Sequence, residues 1–281
     1  MSTLSGLISA GGGGGALPQI TLTQSQTWVP PQDGNVCIHV IGAGASGRAS
    51  NASSNANGGG AGGYCKKNSL AVTTSGSYTV VVGVGGAPQT SQPASASSHN
   101  AGGASTVAGT GLSATLTANG GAGYDGRGES YQLAGGSASG GDVNNTGGSG
   151  NNGGGGAVGV YGAGAVGNAS AYYYRGGTTD AYGDVSLSGF GHIAGGKGGN
   201  GKTWYGNTDH RASENQIESG GFLSGGGSVY VRVAQTGLAT IYAGDGGIGG
   251  GGGGFRTASG TGQWVTGRGG DGIVIIQYLP S

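Results

Sequence analysis

Glycine recurs at every third residue over several stretches of this chain. The stretches with this period are Gly147-Gly150-Gly153-Gly156-Gly159-Gly162, Gly120-Gly123-Gly126, Gly195-Gly198-Gly201 and Gly244-Gly247-Gly250-Gly253. A polyproline II helix has three residues per turn, so glycine at each third position leaves a bare edge along which neighbouring backbones can touch. The period favours short polyglycine-II-like segments that are hydrogen-bonded laterally. Flexible glycine loops are the alternative interpretation.

The composition restricts how so much glycine can be accommodated. Glycine supplies 75 of 281 residues, but only 6 prolines occur, which argues against a collagen triple helix. Disordered chains combine high net charge with few apolar residues. This chain has zero net charge, 8% charged residues and 34% apolar residues, so we expect an ordered fold. The absence of a basic excess argues against a nucleic-acid partner and against membrane attachment.

The amino terminus and the cysteines indicate the cellular compartment in which the chain folds. The first ten residues lack a basic start, and their apolar stretch is too short to span a bilayer. The sequence thus predicts synthesis and folding in a cytoplasm, without membrane insertion. Only Cys37 and Cys65 are present, which is too few for a disulfide scaffold. We expect both thiols to be free and structural.

Apolar and β-branched residues alternate over several short stretches, which is typical of strands. The predicted strands are 19–23, 36–41, 69–73, 77–82, 112–118, 228–233, 239–242 and 273–278. Every candidate helical stripe is interrupted by glycines. The sequence therefore predicts an all-β fold, a glycine-rich β-sandwich-like domain with inserted polyglycine-II-like segments and long loops and essentially no α-helix.

The organisation of the chain follows from the same pattern. Residues 1–18 form a glycine-rich arm, and residues 19–281 form a single glycine-rich β domain with a central insertion at about 121–265. The terminal strand, Ile273-Val274-Ile275-Ile276, is apolar on both faces, which favours a central position in a sheet. We expect it to close the domain that opens near Gln19.

Several sequence blocks occur in a characteristic order. They are Ile20-Thr21-Leu22-Thr23, Thr27-Trp28-Val29-Pro30, residues 36–47, Tyr64-Cys65-Lys66-Lys67, Tyr78-Thr79-Val80-Val81-Val82-Gly83, Gly102-Gly103-Ala104-Ser105-Thr106-Val107 and the closing residues 269–278. Together they resemble the glycine-rich domain of bacteriophage tail-fibre proteins. Between about 121 and 265 the resemblance continues only through glycine clusters. The glycine pattern and the aromatic loops are loosely similar to the polyglycine-II distal adhesins of T-even-like phages.

The resemblance implies a virion component of the tail fibre or tail tip, assembled in the host cytoplasm. It implies attachment to other virion proteins, for which Ser2–Pro18 is the candidate segment. Phage fibres are commonly trimeric, so we expect a homotrimer. The partner at the other end would be a host cell-surface receptor, either a glycan or an outer-surface protein.

Two motifs match functional patterns without the context that those patterns need. Gly42-Ala43-Gly44-Ala45-Ser46-Gly47 fits a dinucleotide fingerprint, but no helix and no acidic residue about 20 positions on are predicted. Gly120-Gly121-Ala122-Gly123-Tyr124-Asp125 matches part of a calcium nonapeptide that is not repeated. Asp125 and Asp142 are equally typical of ordinary turns. We expect no cofactor and no metal.

Catalytic signals are weak throughout the chain. The histidines His39, His99, His192 and His210 lack metal-ligand spacing, and His39 is expected in a strand. The carboxylates Glu129, Glu214 and Glu218 lie in polar loops, where solvated carboxylates are the rule. The sequence therefore predicts a protein that is not an enzyme.

Aromatic residues beside the glycine stretches are the candidate receptor-binding residues. Tyrosine and tryptophan give large contact areas with few rotatable bonds, as binding surfaces require. The candidates are Tyr161, Tyr172, Tyr173, Tyr174, Arg175, Tyr182, Trp204, Tyr205 and Asn207. The alternative is that these rings cover bare glycine backbone.

The expected function is that of an adhesin on a phage particle. One alternative is a purely structural virion cap, spike or decoration protein without receptor recognition. A remote alternative is an ice-binding polyglycine-II protein, which would need a flat array of small residues or threonines. Thr73, Thr74, Thr178 and Thr179 do not predict such an array.

Overall fold

A computed structural model of the chain describes residues 18–51, 58–89, 100–122, 133–150, 155–159, 162–167, 202–204, 223–226, 229–231, 241–257 and 264–280. These residues form strands and extended segments, and none of them is helical. The all-β prediction is confirmed. The strands are β1 (Gln19–Leu22), β2 (Gln26–Trp28), β3 (Gly34–Ile41), β4 (Ala49–Asn51), β5 (Tyr64–Val72), β6 (Tyr78–Val81), β7 (Ser105–Gly109), β8 (Leu116–Ala118), β9 (Ala138–Ser139), β10 (Val143–Asn145), β11 (Lys202–Trp204), β12 (Val229–Val231), β13 (Ile241–Tyr242), β14 (Phe255–Thr257), β15 (Trp264–Val265) and β16 (Ile273–Tyr278).

Two antiparallel five-stranded sheets form a sandwich. The first sheet has the order β1-β16-β3-β5-β10, and the second has the order β2-β6-β7-β8-β9. Strand β16 lies between β1 and β3, so the prediction of a central terminal strand is confirmed. Its pairing with β1, Ile20 opposite Ile276, also closes the domain as expected.

The main hydrophobic core lies between these sheets. Alternation along β3 turns Val36, Ile38 and Val40 inward, where each is fully buried. The second sheet contributes Val107 and Leu116, which are also fully buried. This core consists mainly of branched aliphatic side chains, to which Trp28 and Tyr78 add a tilted ring pair with centroids 5.1 Å apart.

Beyond one end of the sandwich the strands continue as glycine-rich segments. Residues 42–48 continue β3, and residues 58–63 lead back into β5. Residues 82–89 and 100–104 continue the second sheet in the same way, between β6 and β7. Backbone hydrogen bonds between the segments preserve the order of the strands, for example from Gly42 N to Gly63 O and from Gly103 N to Val84 O. We call this part of the molecule the glycine layers.

Segment 42–47 shows how the glycine layers are held together. Its six consecutive N–H groups donate to Gly63, Gly103, Gly270, Gly60, Asn100 and Gly267. The acceptors belong to three neighbouring segments, one with Gly60 and Gly63, one with Asn100 and Gly103, and one with Gly267 and Gly270. Segment 42–47 bonds to these three in turn and returns to each after three residues. This is the three-fold lateral pattern expected of polyglycine-II-like segments, and it favours packed segments over flexible loops for the described residues.

Glycine is required in these layers because the backbones approach so closely. A Cβ atom added to Gly44 would lie 1.9 Å from the carbonyl oxygen of Gly250, and one added to Gly47 would meet Gly253 at the same distance. These two positions are three residues apart and face the same neighbouring segment. Among the stretches with the glycine period, Gly123, Gly126, Gly153 and residues 195–201 lie outside the described residues.

A second, smaller core covers the outer side of the first sheet next to the glycine layers. Ile41, Ile273 and Ile275 of that sheet are buried against Val158 and Leu223. A turn at residues 248–249 closes over them, with Gly249 at a φ of 70°. A Cβ on Gly249 would lie within 2.7 Å of the Ile41 side chain, so both the conformation and the space select glycine.

Short parallel pairings complete the fold. Strands β11, β12, β14 and β4 form a four-stranded parallel sheet in that order, and β13 pairs in parallel with β15. No helix in the described part of the chain is long and apolar enough to cross a membrane. Residues 1–17 of the predicted arm lie outside the described residues.

Candidate binding face

The two chain ends of the described fold lie together at one end of the molecule. Pro18 accepts a backbone hydrogen bond from Tyr278 N, and Leu279 N donates to Asn35 O. Both contacts lie at the end of the first sheet that is opposite the glycine layers, because β16 runs from those layers at Ile273 toward Tyr278. We call this end the base.

The opposite end of the molecule is where the outgoing glycine segments end and the returning segments begin, within the described residues. Residues 42–51 run outward from β3, and residues 58–63 return to β5. The pairs 82–89 and 100–104, and 119–122 and 133–137, run outward and return in the same manner. We call this end of the glycine layers the far end. The outgoing and returning segments therefore leave the described fold at one face, away from both chain ends.

The parallel four-stranded sheet orders part of the far end. Two of its strands follow outgoing segments directly, since β4 follows 42–48 and β14 follows 250–254. Trp204, Val231, Thr257 and Asn51 are the last residues of the four strands and lie in register with one another. The carboxyl ends of parallel strands share one edge, so four chain segments emerge from one row.

The predicted receptor-binding residues fall into two groups relative to this row. Trp204 is the last residue of β11, and Tyr205, the next residue, and Asn207, three positions after Trp204, lie outside the described residues. Tyr172, Tyr173, Tyr174, Arg175 and Tyr182 also lie outside the described residues, in the stretch that follows Gly167. Gly167, the last described residue before that stretch, donates its N–H to Ser149 O in the outgoing segment 146–150.

Tyr161 differs from the other candidates in the position of its neighbours. It lies outside the described residues, between Gly159 and Gly162. Gly164 N donates to Thr146 O, immediately after β10, and Gly159 also approaches Thr146. The residues that flank Tyr161 thus lie beside the sandwich, whereas the β11 row lies at the far end.

The glycine-rich motif at 42–47 has no free backbone N–H group to bind a phosphate. A dinucleotide site presents free N–H groups at the start of a helix. Here all six N–H groups of the motif donate to backbone carbonyls at 2.8 to 3.0 Å, and strand β4 follows instead of a helix. Ala43, Ala45 and Ser46 are fully buried. The motif is an element of the glycine layers.

A buried polar cluster that the sequence did not predict lies on the outer side of the first sheet. His39 is in β3, as expected, and is only 3% exposed. Its Nδ1 atom lies 2.7 Å from the hydroxyl of Tyr64, and its Nε2 atom lies 3.3 Å from Sγ of Cys37. Cys37 and His39 lie on the same side of β3, and the pairing of β3 with β5 brings Tyr64 to them, a contact that its position in the sequence does not indicate.

The charge state of this cluster argues against nucleophilic chemistry. Burial, assisted by the charge of nearby Lys66, lowers the pKa of His39 to about 3. Burial also raises the pKa of the Cys37 thiol. Both groups are therefore neutral near pH 7, whereas an activated cysteine needs a thiolate beside an imidazolium. Cys37 and Cys65 are both buried and free, which confirms the prediction for the two thiols.

The carboxylate of Asp142, one of the aspartates considered for calcium, is hydrogen-bonded to other groups of the protein. Its Oδ1 atom accepts a hydrogen bond from Lys67 Nζ and its Oδ2 atom accepts one from Asn68 N, both at 2.8 Å. The hydrogen bond from Lys67 is the main cause that lowers the pKa of this carboxyl. Among the described residues no group of three or more His, Cys, Asp or Glu side chains could hold a metal ion. Asp125 lies outside the described residues.

Comparison with known proteins gives one match and one negative result. A family model described as a glycine-rich domain matches residues 20–279. The match begins in β1 and ends just after β16, the two strands that pair to close the sandwich. The search of curated proteins gives no match.

Proposed function

This chain belongs to the family of glycine-rich domains, and from that premise we propose that it is a virion protein of a bacteriophage tail fibre or tail tip. Its far end displays aromatic residues to a receptor on the host cell surface, either a glycan or an outer-surface protein. The phage assignment depends on the ordered resemblance of the sequence blocks that frame the domain. The amino-terminal arm attaches the chain to the other proteins of the virion.

The observation that carries this proposal is the polarity of the fold. The arm enters at Pro18, at the base, while the outgoing glycine segments end at the opposite face. An attached adhesin needs this separation, because its anchor and its recognition surface must not compete for the same end. Trp204, which immediately precedes Tyr205 in the chain, lies in this row of paired strand ends.

A non-enzymatic role agrees with the chemistry of the described polar groups. The His39 and Cys37 pair is neutral and buried, and the carboxylate of Asp142 is held by Lys67 and Asn68. A binding protein, in contrast, needs only a stable scaffold and exposed recognition residues. The glycine layers supply such a scaffold, mainly through backbone hydrogen bonds between neighbouring segments.

Binding to cells and competition with adsorption test the proposal. Purified protein should bind cells of the host bacterium and reduce adsorption of the phage. A triple Tyr172→Ala, Tyr173→Ala, Tyr174→Ala variant and a Trp204→Ala, Tyr205→Ala variant should bind at least tenfold more weakly, the loss expected from removing aromatic anchors. Val29→Ala is the control, since Val29 is an exposed residue that is not among the candidates, and it should bind like the wild type.

Two results would separate this function from its alternatives. If the wild-type protein is present in the virion but neither binds cells nor competes, the structural cap, spike or decoration role replaces the adhesin. The ice-binding alternative is tested by thermal hysteresis of the purified protein. Thr73 directly follows β5 and Thr74 lies in the turn before β6, and Thr178 and Thr179 lie outside the described residues.

A further inference from the structure

Two returning segments of the glycine layers begin side by side. Strands β13 and β15 pair in parallel, with Tyr242 opposite Val265. The chain runs inward from both strands, and the segment after β15 leads into β16. Further inward, a hydrogen bond from Gly246 N to Arg268 O keeps the two segments aligned. The two segments therefore share one outer side along their length.

Every third residue on this outer side faces solvent. Along the first segment Tyr242 and Asp245 are exposed, while the two residues between them are buried. Along the second segment Val265, Arg268 and Asp271 are half-exposed, and all four residues between them are buried. A chain with three residues per turn presents its side chains in such a row. We call the surface formed by Tyr242, Asp245, Arg268 and Asp271 the Arg268 face.

Hydrogen bonds to the backbone hold the polar groups of the Arg268 face in place. The Oδ1 atom of Asp271 accepts from Gly85 N at 2.7 Å and from Nη2 of Arg268 at 2.6 Å. The Oδ1 atom of Asp245 accepts from Arg268 N at 2.7 Å. The Oδ2 atoms of the two aspartates accept no hydrogen bond from the described residues. A guanidinium and two carboxylates are thus fixed beside one another, with acceptor atoms left for a ligand.

The Arg268 face also presents an aromatic ring to solvent. Tyr242 is 48% exposed, and the side chains of Arg268 and Asp271 are exposed to a similar extent. The other tyrosines whose side chains the structure describes are buried, namely Tyr64, Tyr78 and Tyr278. Tyrosine rings that remain accessible in this way are typical of binding surfaces, because they offer contact area with few rotatable bonds.

These groups fit a sugar better than they fit a protein surface. A carboxylate accepts hydrogen bonds and a guanidinium donates them in a planar fork, so together they match hydroxyl groups, which both donate and accept. The ring of Tyr242 provides a flat apolar surface for the C–H side of a sugar. The centre of a protein interface is apolar and depleted of charged residues. The Arg268 face has three charged side chains and one ring, which is the reverse of that composition.

The charges and the spacing of the Arg268 face restrict the kind of glycan. Two carboxylates and one guanidinium leave an excess of negative charge, so an acidic glycan would be repelled, whereas an uncharged one would not. Tyr242 and Asp245 are three residues apart on one extended segment, which separates them by about 9 Å. A ligand that reaches both must therefore have more than one sugar unit.

On the premise that the chain is an adhesin, we propose that the Arg268 face binds an uncharged oligosaccharide of the host cell surface. One sugar ring packs on Tyr242. Hydroxyl groups of the neighbouring units donate to the carboxylates of Asp245 and Asp271 and accept from the guanidinium of Arg268. The binding surface of the adhesin then includes this flank of the glycine layers in addition to the far end.

Polysaccharide released from cells of the host bacterium is the probe for this site. Anion exchange divides it into an uncharged and an acidic fraction. Calorimetric titration of the full chain with the uncharged fraction should show binding. Tyr242→Ala, which removes the ring, and Arg268→Ala, which removes the guanidinium, should each bind at least tenfold more weakly. Tyr242→Phe keeps the ring and should bind nearly as well as the wild type.

Lys67→Ala is the matched control for the loss of a charged side chain. Lys67 forms a partly exposed ion pair with Asp142 at 2.8 Å, but on the first sheet rather than in the glycine layers. Exposed ion pairs contribute little to stability, so both Lys67→Ala and Arg268→Ala should remain folded. Lys67→Ala should bind the uncharged fraction like the wild type.

The outcomes distinguish this site from the adhesin role itself. A chain that binds host cells but not the uncharged fraction, or that binds only the acidic fraction, would overturn the glycan site and leave the adhesin proposal intact. Unchanged binding by Tyr242→Ala and Arg268→Ala would place the glycan on another surface. The two substitutions lie on different segments, so one remains informative if the other prevents folding. A wild-type chain that binds neither cells nor polysaccharide would refute both proposals.

Discussion

Replacing Gly44 by alanine should destabilise the fold far more than a surface substitution does. The added Cβ atom would lie 1.9 Å from the carbonyl oxygen of Gly250 and 2.4 Å from its carbon. An ordinary contact needs about 3.4 Å, so one backbone segment must move by roughly 1.5 Å. No flexible side chain can absorb this displacement, because the colliding atoms belong to the main chain.

The displacement also strains the hydrogen bonds of segment 42–47. Gly44 N donates to Gly270 O at 2.8 Å, and Gly44 O accepts from Gly86 N at 2.9 Å. A buried backbone group that loses its partner costs about 1 to 3 kcal/mol, and overpacking adds a similar amount. We therefore expect Gly44→Ala to lower the free energy of unfolding by about 3 to 5 kcal/mol.

The matched control is the same substitution at Gly162. A Cβ atom there would have nothing within 4 Å, so Gly162→Ala should be neutral or stabilise by about 0.5 kcal/mol through the unfolded state. Equilibrium unfolding in guanidinium chloride, followed by tryptophan fluorescence, gives both values. If Gly44→Ala unfolds within about 1 kcal/mol of the wild type, the close packing of the glycine layers is refuted.

Three further outcomes follow from the described residues. The pKa of His39 is about 3 in the folded state and about 6.5 in the unfolded state, so the unfolded state binds a proton first as the pH falls. The free energy of unfolding should therefore decrease between about pH 6.5 and pH 3, by up to about 1.4 kcal/mol per pH unit. In His39→Gln this pH dependence should be absent from parallel unfolding curves, and an unchanged dependence of stability on pH would contradict the prediction. The thiols of Cys37 and Cys65, whose pKa values are raised by burial, should resist a thiol reagent at pH 7 in the native protein and react only after unfolding, so rapid native labelling would contradict their burial. Ile38→Ala should cost about 2 to 5 kcal/mol by calorimetry, since Ile38 is fully buried between the two sheets, and a loss below 1 kcal/mol would exclude that position.

The strands that the sequence predicted well are those whose own residues determine their burial. Strands β3 and β16 are runs of branched aliphatic residues, and the structure has them nearly as predicted. Strand β10, Val143–Asn145, was missed, because its place depends on pairing with residues 64–66 of β5 rather than on its own composition. The prediction of a strand over 112–118 was too long, since only Leu116–Ala118 pair with β7.

Only part of the candidate site could be predicted from the sequence. The three-residue glycine period indicates lateral packing, but it does not say which segments are neighbours. Gly44 bonds to Gly270, for example, across more than two hundred residues. The polarity of base and far end results from these long-range pairings. Sequence reasoning could therefore name aromatic residues such as Trp204, but not the face on which their strands end.

A cryo-electron microscopy map of the intact phage particle tests the central proposal most directly. We expect the chain at the tip of a tail fibre or of the tail, with Pro18 and Leu279 toward the particle and the row of Trp204, Val231, Thr257 and Asn51 pointing outward. A particle that lacks the chain, or one in which the base points outward and the far end is buried against other virion proteins, would contradict the account.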